Sequence, residues 1–171
     1  QSFLVTALDD SNAPMILEVE PASGRISKLD IPGSRPAQAM YGPPGTLFVL
    51  EDDLQEGGTS LVAYERATWQ AKGRIEGVSQ VQFDHVRNLL LYTRLDANGL
   101  WKVPPSLDAA GITRLSTQLP SRWRYRGWSL APDGRIAYLD ATPGCWTRIS
   151  RYRIGNSQLA ADADVRVDPI T

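Results

Sequence analysis

Apolar and polar positions along this chain alternate in short bursts, and four of the bursts look alike: SFLVTALDD (2–10), GTLFVLEDD (45–53), NLLLYTRLD (88–96) and GRIAYLDAT (134–142). Each is a short apolar run that ends in acidic or turn-forming residues. Aligned on Val5, Val49, Tyr92 and Tyr138, the runs recur at spacings of 44, 43 and 46 residues. A period in the forties built from strand-like pieces predicts the blades of a β-propeller, with about four strands to a blade.

The flanking residues fill out each blade. A strand-like piece and a turn precede the last three runs: AQAM then YGPPG, VSQVQF then DHVRN, GWSL then APDG. Proline presets φ and glycine accepts positive φ, which gives Pro-Pro-Gly and Pro-Asp-Gly their turn chemistry. A further strand follows every run: MILEVE (15–20), SLVAYE (60–65), GLWKVP (99–104) and TRISRYRI (147–154). A weaker fourth strand comes next in three units: GRISKLD (24–30), AKGRIEG (71–77) and GITRLS (111–116). In the last unit only SQLAA is placed to serve, and its pattern is poor. Apolar residues nowhere recur at helical spacing over three turns, so almost no helix is expected.

The expected fold is therefore all-β, a four-bladed or partial propeller of four-stranded antiparallel blades. It forms one domain with units at about 1–33, 34–77, 78–117 and 118–171. The first unit lacks its leading strand, and the tail ADVRVDPIT (163–171) either opens another blade or supplies that strand. The two readings predict, respectively, part of a larger propeller and a small closed ring. In the first, edges at 2–7 and 163–168 stay unpaired and drive homodimerisation, because open edges template pairing.

Composition narrows the function. The chain has 171 residues and a formal net charge of −1, so no global field draws it to nucleic acid. Its longest apolar run, Leu89–Tyr92, has four residues, where a membrane span needs roughly 20. No signal peptide is visible, and a start at Gln1 reads as a piece of a longer protein. One cysteine, Cys145, and one histidine, His85, leave no internal disulfide and no His-rich metal site. Neither a metal nor a cofactor is expected.

Two constellations remain as candidate chemistry. Asp9, Asp53 and Asp96 each fall four residues past the aligned position, on loops that a propeller gathers on one face. In function, such acids suit a cation, a cationic ligand or acid–base work by paired carboxylates. In structure, Asp after a strand caps the turn, and repetition alone produces the register. The second constellation is SRWRYRGWSL (121–130), where Arg122, Trp123, Arg124 and Tyr125 interleave charge with aromatic rings. Seven arginines face two aspartates across 121–153. The stretch reads as a solvated strand edge, as a site for a small anion or protein partner, or as a surface for single-stranded nucleic acid. The near-neutral total charge argues against the last. Trp101 and Trp128 read as packing between blades, His85 as a surface turn and Cys145 as an inert thiol.

SLAPDGRIAYLD resembles the SPDG-x-x-I-A-[FY] core of TolB-type (PD40, WD40-like) propeller repeats. LLLYTRLDANGLWKVP, followed by WRYRGWSLAPDGRIAYLD, is similar to the C-terminal propellers of CadC-like membrane-anchored winged-helix transcriptional regulators. The likeness covers 78–155 well and the first half loosely, and YGPPGTLFV and DHVRN depart from the pattern. It implies an extracytoplasmic, periplasmic sensing or protein-contact module with no catalytic residues and no direct nucleic-acid contact. The expectation is a non-enzymatic module that binds a partner or small ligand on its loop face. The rival is a propeller hydrolase, glycosidase-like, using paired acids such as Asp53 and Asp96.

Overall fold

The computed structural model describes residues 2–53, 58–117, 128–142, 145–154 and 158–166. Strands fill four antiparallel sheets among them, and helix is confined to one 3-10 turn at Ala109–Gly111. The first sheet joins β1 (Phe3–Leu8), β2 (Pro14–Glu20) and β3 (Arg25–Leu29). The second joins β4 (Pro36–Tyr41), β5 (Thr46–Asp53), β6 (Gly58–Glu65) and β7 (Gln70–Glu76). β8 (Val78–Asp84), β9 (Leu89–Arg94), β10 (Leu100–Val103) and β11 (Thr113–Ser116) make the third. β12 (Trp128–Leu130), β13 (Arg135–Thr142), β14 (Cys145–Ile154) and β15 (Leu159–Arg166) make the fourth. Strands lie side by side in chain order in every sheet, the meander that short turns between antiparallel neighbours produce. Four consecutive meander sheets are the architecture of a partial β-propeller.

Contact density divides the chain into two compact units. One comprises Gln1–Val78 with Val103–Gly111, the other Ser79–Lys102 with Ile112–Thr171. Strand alternation builds the core of the first. Leu47, Val49 and Val62, at most 1% exposed, share one face of the second sheet. With Ile31 and Tyr64 they form a cluster against which Leu4 and Leu29 of the first sheet pack. The intervening positions Phe48, Leu61, Ala63 and Ile75 are buried on the opposite face. Each large side chain taken fully out of water contributes about 1.5–3 kcal/mol. Residues 103–111 belong to this unit because they lie against β7: a Cβ on Gly73 would stand 2.5 Å from the Ser106 carbonyl oxygen.

In the second unit, Leu91, Leu100 and Leu115 of the third sheet pack with Trp128 and Ile136 of the fourth. The Gln82 side chain ties the two sheets together. Its amide donates to the Trp128 carbonyl at 3.2 Å and accepts the Leu130 N–H at 2.9 Å. The β8–β9 turn is capped by Asp84, 2% exposed, which accepts the Val86 and Arg87 N–H groups at 3.0 Å each. His85 is exposed in this turn, edge-on to Phe83.

The chain ends differ from one expectation. Val165 and Arg166 pair with Ile149 and Arg148, so these two residues of the VRV segment belong to β15, the outer strand of the fourth sheet, and among the described residues β1 pairs with β2 alone. SQLAA marks only the start of that strand, because the Ala-Asp alternation of 161–164 carries little apolar signal. The first sheet keeps three strands among the described residues.

Candidate functional site

Antiparallel pairing puts the β1–β2 turn and the connection leaving β3 at one end of the first sheet. The register Ile16↔Leu29 fixes this, since β3 ends where β2 begins. The β5–β6 connection and the start of β4 share an end of the second sheet in the same way, through Pro36↔Glu51. Of the sequence-derived candidates, Asp9 and Asp53 lie at these two ends.

Asp9 sits in the β1–β2 turn. Its Oδ1 accepts the Ser11 hydroxyl at 2.6 Å and the N–H groups of Ser11 and Ala13 at 2.9 Å each. The Ser11 hydroxyl is the main reason its carboxyl stays below the usual range, followed by the Ala13 N–H. Asp96 follows β9 and receives Arg94 through Nε at 2.8 Å and a terminal nitrogen at 3.1 Å. That guanidinium holds the Asp96 carboxyl below its ordinary value. Asp53 ends β5 opposite Gly58, and its side chain is outside the described residues. So are Arg122, Trp123, Arg124 and Tyr125, on the connection between β11 and β12. Cys145 opens β14, paired with Thr142. Asp9 belongs to one unit and Asp96 to the other, and each is closed by its own neighbours. Among the described residues, no group of three or more His, Cys, Asp or Glu side chains is placed to hold a metal ion. No described helix is long and apolar enough to cross a membrane.

The loop end of the first unit also carries a cleft of about 230 Å³. Pro14, Pro32, Pro36 and Ile31 line it, beside Lys28 and Asp30, which pair at 3.5 Å. Ligand pockets for small molecules usually enclose about 300–1,000 Å³, so this one is the size of a single side chain or small group.

Two polar networks lie deeper, and the sequence reading missed both. Glu18 accepts the Tyr41 hydroxyl at 2.5 Å, Ser2 Oγ at 3.1 Å and Arg66 at 3.0 and 3.1 Å. The Arg66 guanidinium also stands 5.4 Å above the Tyr41 ring. Glu51 accepts the Tyr64 hydroxyl at 2.7 Å and pairs with Arg74 at 3.4 Å. Burial first, then Glu51, push the Tyr64 hydroxyl far above its ordinary value. Arg74 also donates to Ser60 Oγ at 2.7 Å, and Ser60 Oγ bonds Glu76. A signal for these networks was present. Glu18 shares its strand parity with Ile16, and Glu51 with Leu47 and Val49, so each is a carboxylate on a core-facing position.

In the second unit, Tyr92 and Trp101 stack at 6.0 Å and Arg114 lies 5.1 Å over the Trp101 ring. Arg114 also donates to the Asn98 carbonyl. This ladder fixes the β9–β10 loop that carries Asp96.

No protein-family model matches the chain, and the curated proteins contain no significant match. Solved structures do resemble it. A protein from Lactobacillus plantarum aligns over 96% of this chain and 52% of its own, with TM-score 0.61 and 13% identity. The β-propeller domain of the trilobed protease from Pyrococcus furiosus aligns over 94% and 52%, with TM-score 0.58 and 9% identity. The major allergen of Malassezia sympodialis aligns over 95% and 60%, with TM-score 0.57 and 11% identity. The chain is thus similar to β-propellers in fold and spans half to three-fifths of their length. The likeness reaches both a protease's domain and an allergen, so the fold selects no activity.

Proposed function

We propose that this chain is a non-enzymatic interaction module, the periplasmic part of a bacterial regulator or envelope protein, which takes a protein partner or small ligand at the loop ends of its sheets. The observation that carries this reading is the state of the aligned acids. Asp9 and Asp96 are each closed by local hydrogen bonds and held ionised. A glycosidase-type pair needs two facing carboxyls, about 5–10 Å apart, with one pKa raised. The proline-lined cleft supports the same reading, since its volume suits a partner's side chain inserted at the loop end. The resemblance of 78–155 to CadC-like regulators supports the location and the sensory role.

The test has two arms. Photo-crosslinking residues placed at Trp123 and Tyr125 are expected to give discrete adducts in the bacterial periplasm, and one placed at Val86 is not. The purified chain is expected to turn over no glycoside or ester in a manner lost with Asp53→Asn or Asp96→Asn. Adducts independent of position, or hydrolysis that either substitution abolishes, would overturn the reading.

A further inference from the structure

The cleft at the loop end of the first unit is walled by elements internal to the chain: the start of β2, the end of β3 and the connection into β4. Met15 and Leu29 join Ile31 and the three prolines in its apolar lining. The connection is a preformed wall. The Ser34 N–H donates to the Ile31 carbonyl at 3.3 Å, and between them Pro32 presets its φ while Gly33 takes φ +70°. Ile31 at the start of this turn and Pro36 just beyond it are buried. Such a wall does not have to be ordered when something enters. Charge gathers at the mouth. Lys28 and Asp30, both on the cleft wall, pair at 3.5 Å with side chains 53% and 83% exposed. An ion pair this exposed is weak, so Asp30 readily exchanges the lysine for another cation. Asp9, held ionised chiefly by the Ser11 hydroxyl, also feels the Lys28 charge. One cation against two carboxylates leaves one negative charge in excess, and Asp10, exposed beside Asp9, adds to it.

We propose that this cleft takes the side chain of a lysine or arginine from a partner protein, with the aliphatic stem against the prolines and the charged head at Asp30. Long basic side chains lay their stems on apolar surface and keep their heads in water, and the walls and mouth of the cleft divide in the same way. Its volume of about 230 Å³ matches one side chain. A carboxylate tip would meet the excess negative charge, and a purely aliphatic side chain would leave that charge unanswered. Lys28 is then an internal competitor for Asp30. The inference rests on the reading of the loop ends as the binding surface and gives the partner a chemistry there.

Titration of the whole chain with end-blocked Gly-Lys-Gly, Gly-Arg-Gly, Gly-Glu-Gly and Gly-Leu-Gly, followed in two-dimensional amide NMR spectra, decides it. The two basic peptides are expected to shift the amides of residues 28–34 in the millimolar range. The Leu and Glu peptides are expected to bind about threefold more weakly or worse. Lys28→Met keeps the stem, removes the competing charge and is expected to tighten the Lys peptide by about threefold. Asp30→Asn is expected to weaken it by about as much. Glu20→Gln, in the Arg25 ion pair at the other end of the same sheet, is expected to leave it unchanged. The same spectra show that each variant is folded. Equal binding of the Leu and Lys peptides overturns the inference. So does a weaker Lys peptide in Lys28→Met, or no shift at about 20 mM peptide. Crosslinks at Trp123 and Tyr125 with no peptide response would overturn it and leave the loop-end reading standing. A peptide response confined to 28–34 without those crosslinks would support the cleft and overturn the wider reading.

Discussion

Glu18 occupies a core-facing position of β2, and its carboxylate is 14% exposed. Such a group is tolerated only when its charge is answered, and three elements answer it: Ser2 ahead of β1, Tyr41 of β4 and Arg66 after β6. The network thereby ties the first sheet to the second. The Tyr41 hydroxyl lowers the Glu18 pKa most, burial opposes it, and Arg66 lowers it further. A carboxyl with a depressed folded pKa contributes stability above its unfolded value. That contribution is lost as pH falls, because the unfolded state takes up the proton first. Glu18→Gln is therefore expected to cost about 1–3 kcal/mol at neutral pH. The gap from the parent chain should narrow as pH falls from about 4.5 through the lowered folded value. Urea unfolding at several pH values checks this, and a gap that stays constant would show that the charge is irrelevant.

At the scale of strands, two glycines mark where the backbone has no spare room. Gly99, immediately before β10, has φ +137°, a conformation L side chains rarely adopt, and a Cβ there would meet the Ser116 carbonyl oxygen of β11. Gly73 has an ordinary φ, but its Cβ would press on the Ser106 carbonyl and on Leu107. Neither obstacle is the end of a flexible side chain, so each backbone must shift. Gly73→Ala and Gly99→Ala are each expected to cost about 1–3 kcal/mol, read as a lower urea midpoint at unchanged slope. Strands were the most legible feature of the sequence. GTLFVLEDD (45–53) is β5 (Thr46–Asp53), MILEVE (15–20) is β2 (Pro14–Glu20), and GWSL ends in β12 (Trp128–Leu130). Period-2 alternation between Gly and Pro turns is local, so it survives in one dimension. β15 was legible only in part, because Ala-Asp-Ala-Asp alternates without a strong apolar face. The candidate site was the least legible. Glu18 meets a tyrosine 23 residues away and an arginine 48 away, and no spacing rule joins residues on different strands of different sheets.

For the whole molecule, the division into units does not follow the order of the chain. The unit that begins at Gln1 takes Val103–Gly111 from beyond residues 79–102. That segment is part of its core: Val103 is 1% and Leu107 4% exposed, and the Gly73 backbone lies directly beneath Ser106 and Leu107. Leaving such residues out uncovers apolar surface and forfeits about 1.5–3 kcal/mol per large side chain. A small domain has roughly 5–15 kcal/mol in total, so this loss is large. A chain ending at Val78 is therefore expected to lose its cooperative thermal transition and to bind a hydrophobic dye, even though it retains β1–β7. Restoring residues 103–111 after Val78 through a flexible linker in place of 79–102 is expected to recover the transition. The same linked chain with Leu107→Asp is expected to lose it again, because a carboxylate would then replace the buried leucine. A cooperative melt from residues 1–78 alone, matching that of the linked chain, would show that the two sheets complete their own core and that 103–111 only rests on it.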